Sequence, residues 1–166
     1  MLYKYRGIIT AFLGLLLLFL PPAHFEPSCY FGIPIFLVAF FLRIWARLHI
    51  GEHSRGDELV CDEIVKTGPY RYIKHPLYLS NFMAGAAFAL FHAGFSFATL
   101  GFCAIYGIFL VILAINENRF LKRAVLQICP APNISSPKKS AINDLPTWFW
   151  QIVMLVLIFA RKVWLY

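Results

Sequence analysis

The chain has 166 residues and a formal net charge of +7, and it is 60% hydrophobic with only 14% charged residues. A soluble domain carries roughly 25% charged residues, so this composition excludes a soluble globular protein and identifies an integral membrane protein. The length leaves room for one membrane domain over residues 1–166.

Apolar runs at residues 7–20, 29–50, 76–93, 94–115 and 145–160 predict five membrane helices. A span usually needs about 20 apolar residues, so the first and last runs must thin the bilayer or borrow flanking residues. Pro21 and Pro22 stop the first run and no small-residue cleavage site follows, which predicts a retained helix and not a signal peptide. The second run ends in LRIWARLHIG, where Arg43 and Arg47 share a helical face beside Trp45. Either they snorkel to lipid phosphates, or they face inward to an anionic partner: Glu117, Asp57, Glu58 or an acidic ligand.

The 51–75 loop is expected to lie over one end of the bundle, with a short extended stretch at Glu58–Val65. It leads into GPYRYIKHPLY, Gly68 to Tyr78, where a polar, cationic and aromatic cluster meets the third apolar run. Pro76 suits a first helical turn, because its missing N–H has no intrahelical partner there. The cluster is either an interfacial anchor, with Tyr70, Tyr72 and Tyr78 at headgroup level and Arg71 and Lys74 on phosphates, or a site. The third and fourth runs form an antiparallel hairpin through a short turn at His92–Phe95, and Gly85, Ala86, Ala87 and Ala89 supply a small-residue packing face. The fourth run ends in NENRFLKR, where Glu117 either pairs with Arg119 or Arg123 or joins the cluster at the same end. Residues 125–146 hold four prolines and read as an irregular loop before the last span.

With five spans, thirteen of the fifteen basic residues fall on one side and only Arg161 and Lys162 on the other. The N-terminus and the 51–75 and 116–144 loops are therefore expected to be cytoplasmic, with the C-terminus outside. The net charge reads as topology and attraction to anionic lipid, and not as nucleic-acid binding. Cys29, Cys61, Cys103 and Cys129 are isolated, so no metal site is expected.

LRIWARLHIG, then VKTGPYRYIKHPLYLSNF, then a span ending in NENRFLKR resembles the isoprenylcysteine carboxyl methyltransferase and phospholipid methyltransferase superfamily over about residues 38–123. The most specific part is the GPYRYxRHPxY signature, here with Lys74 in place of the usual arginine. The resemblance implies an all-α bundle of about five transmembrane helices with a cytoplasmic pocket for S-adenosylmethionine. A lipophilic acceptor would arrive from the lipid near the second and fourth helices. His75, Pro76, Tyr78 and Glu117 carry over from the family as cofactor contacts. Residue chemistry adds Tyr70, whose aromatic face, like that of Tyr78, suits adenine or a sulfonium cation, and backbone groups near Gly68 for polar edges. A carboxylate at Glu117 suits an ammonium or ribose hydroxyls, and Arg43 or Arg47 is the candidate for positioning an acidic acceptor. Methyl transfer is a direct displacement needing alignment in a dry site and no covalent nucleophile.

The expected function is thus an S-adenosylmethionine-dependent methyltransferase acting on a lipid or lipid-linked acceptor. Two alternatives stand beside it. One is a non-catalytic subunit of a membrane complex on the same scaffold, since Asn118 replaces the second of the family's paired glutamates and residues 125–146 lack its tyrosine-rich helix. The other is a nicotinamide-dependent membrane reductase, because sterol reductases resemble the superfamily, although their extended cofactor motif is absent here. A protein partner is left unspecified.

Overall fold

The computed structural model describes residues 5–23, 27–50, 67–124 and 137–165. The helices are α1 (Arg6–Leu17), α2 (Pro27–Tyr30), α3 (Gly32–Ile50), α4 (Pro76–Ala93), α5 (Phe97–Ala124) and α6 (Pro137–Leu165), with a 3₁₀ turn at Gly68–Arg71 ahead of α4. Among the described residues there is no strand, and Glu58–Val65 lies outside them. The all-helical expectation holds. Three stretches, Gly32–Ile50, Phe97–Arg119 and Asp144–Trp164, are long and apolar enough to cross a membrane, while α1 is shorter. Phe41, Ile105, Val111, Ile152 and Phe159 point outward from these three helices, which in water would be unfavourable and in hydrocarbon costs nothing.

Helix α4 is the inner element, packed on both α3 and α5. Nine of its eighteen residues are buried, most of them small or apolar. Small residues let the backbones approach closely. A Cβ placed on Gly32 of α3 would lie 2.5 Å from the Ala87 carbonyl oxygen, and one on Gly85 would lie 2.4 Å from the Tyr106 ring of α5. The small-residue face read from the sequence therefore serves two neighbours. Leu17 of α1, Phe88 and Ala89 of α4, and Met154 and Ile158 of α6 form one core cluster. Tyr106, Leu110 and Leu113 of α5 anchor a second, against Tyr78 and Phe82.

The predicted hairpin forms. Helix α4 ends at Ala93, Gly94 adopts φ +59°, and α5 starts at Phe97. Ser96 Oγ accepts from the Thr99 N–H at 3.1 Å, satisfying one orphan donor of the new helix, and Thr99 Oγ1 donates to the Gly94 carbonyl at 2.8 Å. The α1 chain also stops before Pro21 and Pro22, and the Ala23 N–H bonds the His92 carbonyl at 2.9 Å.

One expectation fails. Residues 137–146 are helical and continue into the last span, with Pro146 inside α6, whereas the prolines predicted an irregular loop there. Pro137 opens the helix, where a missing N–H is harmless. Pro146 removes one bond to the carbonyl four residues back, and the side chains of the adjoining turn dock firmly on α3. Residues 125–136 of the predicted loop lie outside the described residues.

Candidate functional site

Two polar clusters gather at the end of the bundle where α3 and α5 finish and α4 begins. The first is built by the chain entering α4. Gly68 has φ +57°, and a Cβ there would fall 2.6 Å from the His49 ring, so only glycine lets the 3₁₀ turn sit against the end of α3. The Tyr72 and Ile73 N–H groups both bond the Pro69 carbonyl, at 3.1 and 2.9 Å, and hold the turn closed. His75 then caps the helix in a non-helical conformation, φ −132° and ψ 68°, and Pro76 opens α4 as predicted.

This geometry aims His75 at the last part of α5. Its Nε2 lies 3.1 Å from Asn118 Oδ1, and its Nδ1 lies 3.6 Å from Glu117 Oε2. The Tyr78 ring, one turn into α4, stands 5.6 Å from the imidazole, centroid to centroid. His75, Pro76, Tyr78 and Glu117, four residues singled out from sequence, are thus brought together. Asn118 joins them as a direct partner of His75, a role its replacement of a glutamate did not announce. Chemically the group offers a carboxylate, an imidazole and aromatic faces, a donor set that fits a cationic ligand bearing hydroxyls.

The second cluster centres on a residue the sequence reading missed. Asp144 of α6 accepts from Arg43 Nε at 2.7 Å and Nη2 at 3.0 Å, from Arg47 Nε at 2.8 Å, and from Trp148 Nε1 at 3.2 Å. Arg43 also donates to Asn81 Oδ1 at 2.6 Å and Thr147 Oγ1 at 3.0 Å. Both arginines are 6% exposed and Asp144 2%, so the outward, snorkelling account is overturned. They face inward, and their shared partner is Asp144 and not Glu117, which faces His75. Asp57 and Glu58 lie outside the described residues. A signal existed: Asp144, Thr147 and Trp148 share a helical face at the start of an apolar run, and an acid there needs a partner.

Tyr70 stands in electrostatic reach of both clusters, facing the charges of Arg47, Glu117, Arg43 and Asp144. Burial pushes its ionisation well above the ordinary phenol range, with Arg47 opposing, so the hydroxyl stays protonated. Its oxygen is buried and meets no hydrogen-bond partner among the described residues. Two apolar grooves lie elsewhere, one lined by Leu90, Phe97 and Leu100 and the other by Leu16, Leu20 and Phe102. Among the described residues, no group of His, Cys, Asp and Glu side chains is placed to hold a metal ion.

Residues 27–125 match the family model for phospholipid methyltransferase. The matched stretch runs from α2 to the end of α5 and contains the whole of the first cluster. Of the second it contains Arg43, Arg47 and Asn81 but not Asp144, Thr147 or Trp148, which α6 contributes. No curated protein and no solved structure matches the chain.

Proposed function

The chain belongs to the phospholipid methyltransferase family, a class of membrane methyltransferases acting on lipid, and from that premise we propose an S-adenosylmethionine-dependent transfer at the cytoplasmic membrane face. The observation that carries the reading is the convergence of His75, Tyr78, Glu117 and Asn118 where α4 starts and α5 finishes. When bound, the cofactor supplies an electrophilic methyl group on a sulfonium. Glu117 holds its ammonium or ribose hydroxyls, and the Tyr70 and Tyr78 rings face adenine or the sulfonium. Backbone groups around Gly68 and His75 meet polar edges, and Pro76 fixes where those groups sit.

The acceptor is a lipid entering sideways between helices. Arg43 and Arg47, held by Asp144, give that side of the site a cationic wall against which an anionic headgroup group is positioned. No residue has to form a covalent intermediate. The chain's task is alignment and exclusion of water. The cytoplasmic placement is supported by the thirteen-to-two distribution of basic residues. It predicts that cysteines introduced at Ser136 and Trp164 label from opposite sides of a sealed membrane; labelling from one side would remove the last span.

Calorimetric titration of folded protein with S-adenosylmethionine and with its demethylated product is the direct test. Binding is expected to both, and Glu117→Ala and His75→Ala are expected to weaken it. Absence of binding by either ligand overturns the methyltransferase reading in favour of a non-catalytic subunit, and binding of a nicotinamide dinucleotide in their place points to a reductase.

A further inference from the structure

The hydroxyl of Tyr70 makes no hydrogen bond that would hold the fold together among the described residues. It is buried and meets no hydrogen-bond partner among them, and such a group loses its hydration without replacement. A phenylalanine would fill the same space and avoid the loss. The residue is also not free to drift. Gly68 is pressed against His49, Pro69 is buried, and the Tyr70 N–H bonds the Thr67 carbonyl at 3.2 Å. The turn therefore fixes an unpaired, buried donor within electrostatic reach of the arginines that Asp144 holds and of Glu117.

We propose that the Tyr70 hydroxyl binds the acceptor, donating a hydrogen bond to a phosphate oxygen of the lipid headgroup and holding it between the Arg43–Arg47–Asp144 cluster and the cofactor residues. This rests on the methyltransferase reading above. The neighbouring guanidinium groups favour an anionic oxygen at that point, and the Glu117 carboxylate disfavours one on its own side, so the phosphate lies toward Arg47 and the reacting end toward Glu117. Tyr70 acts as a donor throughout. No bond forms or breaks at its oxygen, and the proton stays on it.

The test is Tyr70→Phe in the full chain. With phospholipid in mixed micelles, KM for the lipid should rise about tenfold, the scale of a lost hydrogen bond to a charged group. The rise in lipid KM should exceed any change in the Kd for S-adenosylmethionine or in kcat at saturating lipid, because the ring assigned to the cofactor is kept and only the hydroxyl is lost. The ligand-free Tm should hold or rise, because an unsatisfied buried group has been removed. An unchanged lipid KM overturns the proposal. So does a weakened cofactor Kd with lipid KM intact, which would give the hydroxyl to the cofactor, and so does a lower ligand-free Tm, which would make it structural. A cofactor-free measurement separates this from the methyltransferase reading. Equilibrium binding of a fluorescent short-chain phospholipid should weaken in Tyr70→Phe while binding of the matching diacylglycerol, which has no phosphate, does not. That result stands even if no methyl transfer is found, and equal weakening of both lipids overturns the phosphate contact.

Discussion

The two polar clusters use similar chemistry in different ways. His75 and Glu117 meet at 3.6 Å with side chains 17% and 24% exposed, whereas the Arg43–Asp144 contact is 2.7 Å with side chains 8% and 2% exposed. A loosely held, partly open pair can exchange its partner for a ligand at little cost. A closed one cannot, because freeing either member leaves a charge unpaired in a low-dielectric interior. The signature end is thus built to exchange partners, and the arginine–aspartate end keeps its internal partner, holding α3, α4 and α6 in register while two cations against one Asp144 carboxylate leave it net positive toward an anionic headgroup.

The largest effect should come from breaking the closed cluster. Asp144→Ala leaves two guanidinium groups without their shared acceptor and should destabilise the protein by about 3–5 kcal/mol, read as a fall in Tm or loss of folded yield in detergent. Pairing it with Arg43→Leu should recover part of the loss, since the double variant buries one charge fewer. If Asp144→Ala unfolds at the wild-type temperature, the cluster is not what docks α6.

At the open cluster the expected response is in binding. Glu117→Gln should weaken S-adenosylmethionine by about tenfold to a hundredfold, the range for losing a charged hydrogen-bond partner, with Tm nearly unchanged. A comparable fall in Tm would erase the contrast between the two ends. Smaller again, Gly68→Ala forces a side chain into φ +57° and onto His49, and should cost about 1 kcal/mol. Faster amide exchange confined to residues 67–73 would show it. The gentlest change is Asn118→Glu, which sets a second carboxylate against His75 and should tighten cofactor binding severalfold. No change in Kd would mean that Asn118 already serves as well as a glutamate.

Much of the open cluster was legible because its causes are local. A proline after His75 predicts a helix start, a short turn at His92–Phe95 joins the next two apolar runs, and the meeting of His75 with Glu117 follows once those runs fold back on each other. The signature residues then meet without further information. The last helix was misread for the same reason in reverse: prolines at 137 and 146 are local breakers, and nothing adjacent to them in sequence says that the chain stays helical.

The closed cluster was a matter of tertiary structure. The sequence by itself put two arginines on one face of α3 and left open whether they snorkel to lipid phosphates or pair with an anion inside, and for the second case it offered several carboxylates and no means of choosing. Asp144 lies 101 residues from Arg43 and 97 from Arg47. Its selection depends on how α6 docks against α3. The inner position of α4 was decided in the same way: its apolar run resembles those of the lipid-facing helices, and only close approach at Gly32 and Gly85 places it between neighbours. Backbone chemistry is set by adjacent residues, whereas burial and ion pairing are set by which helices touch.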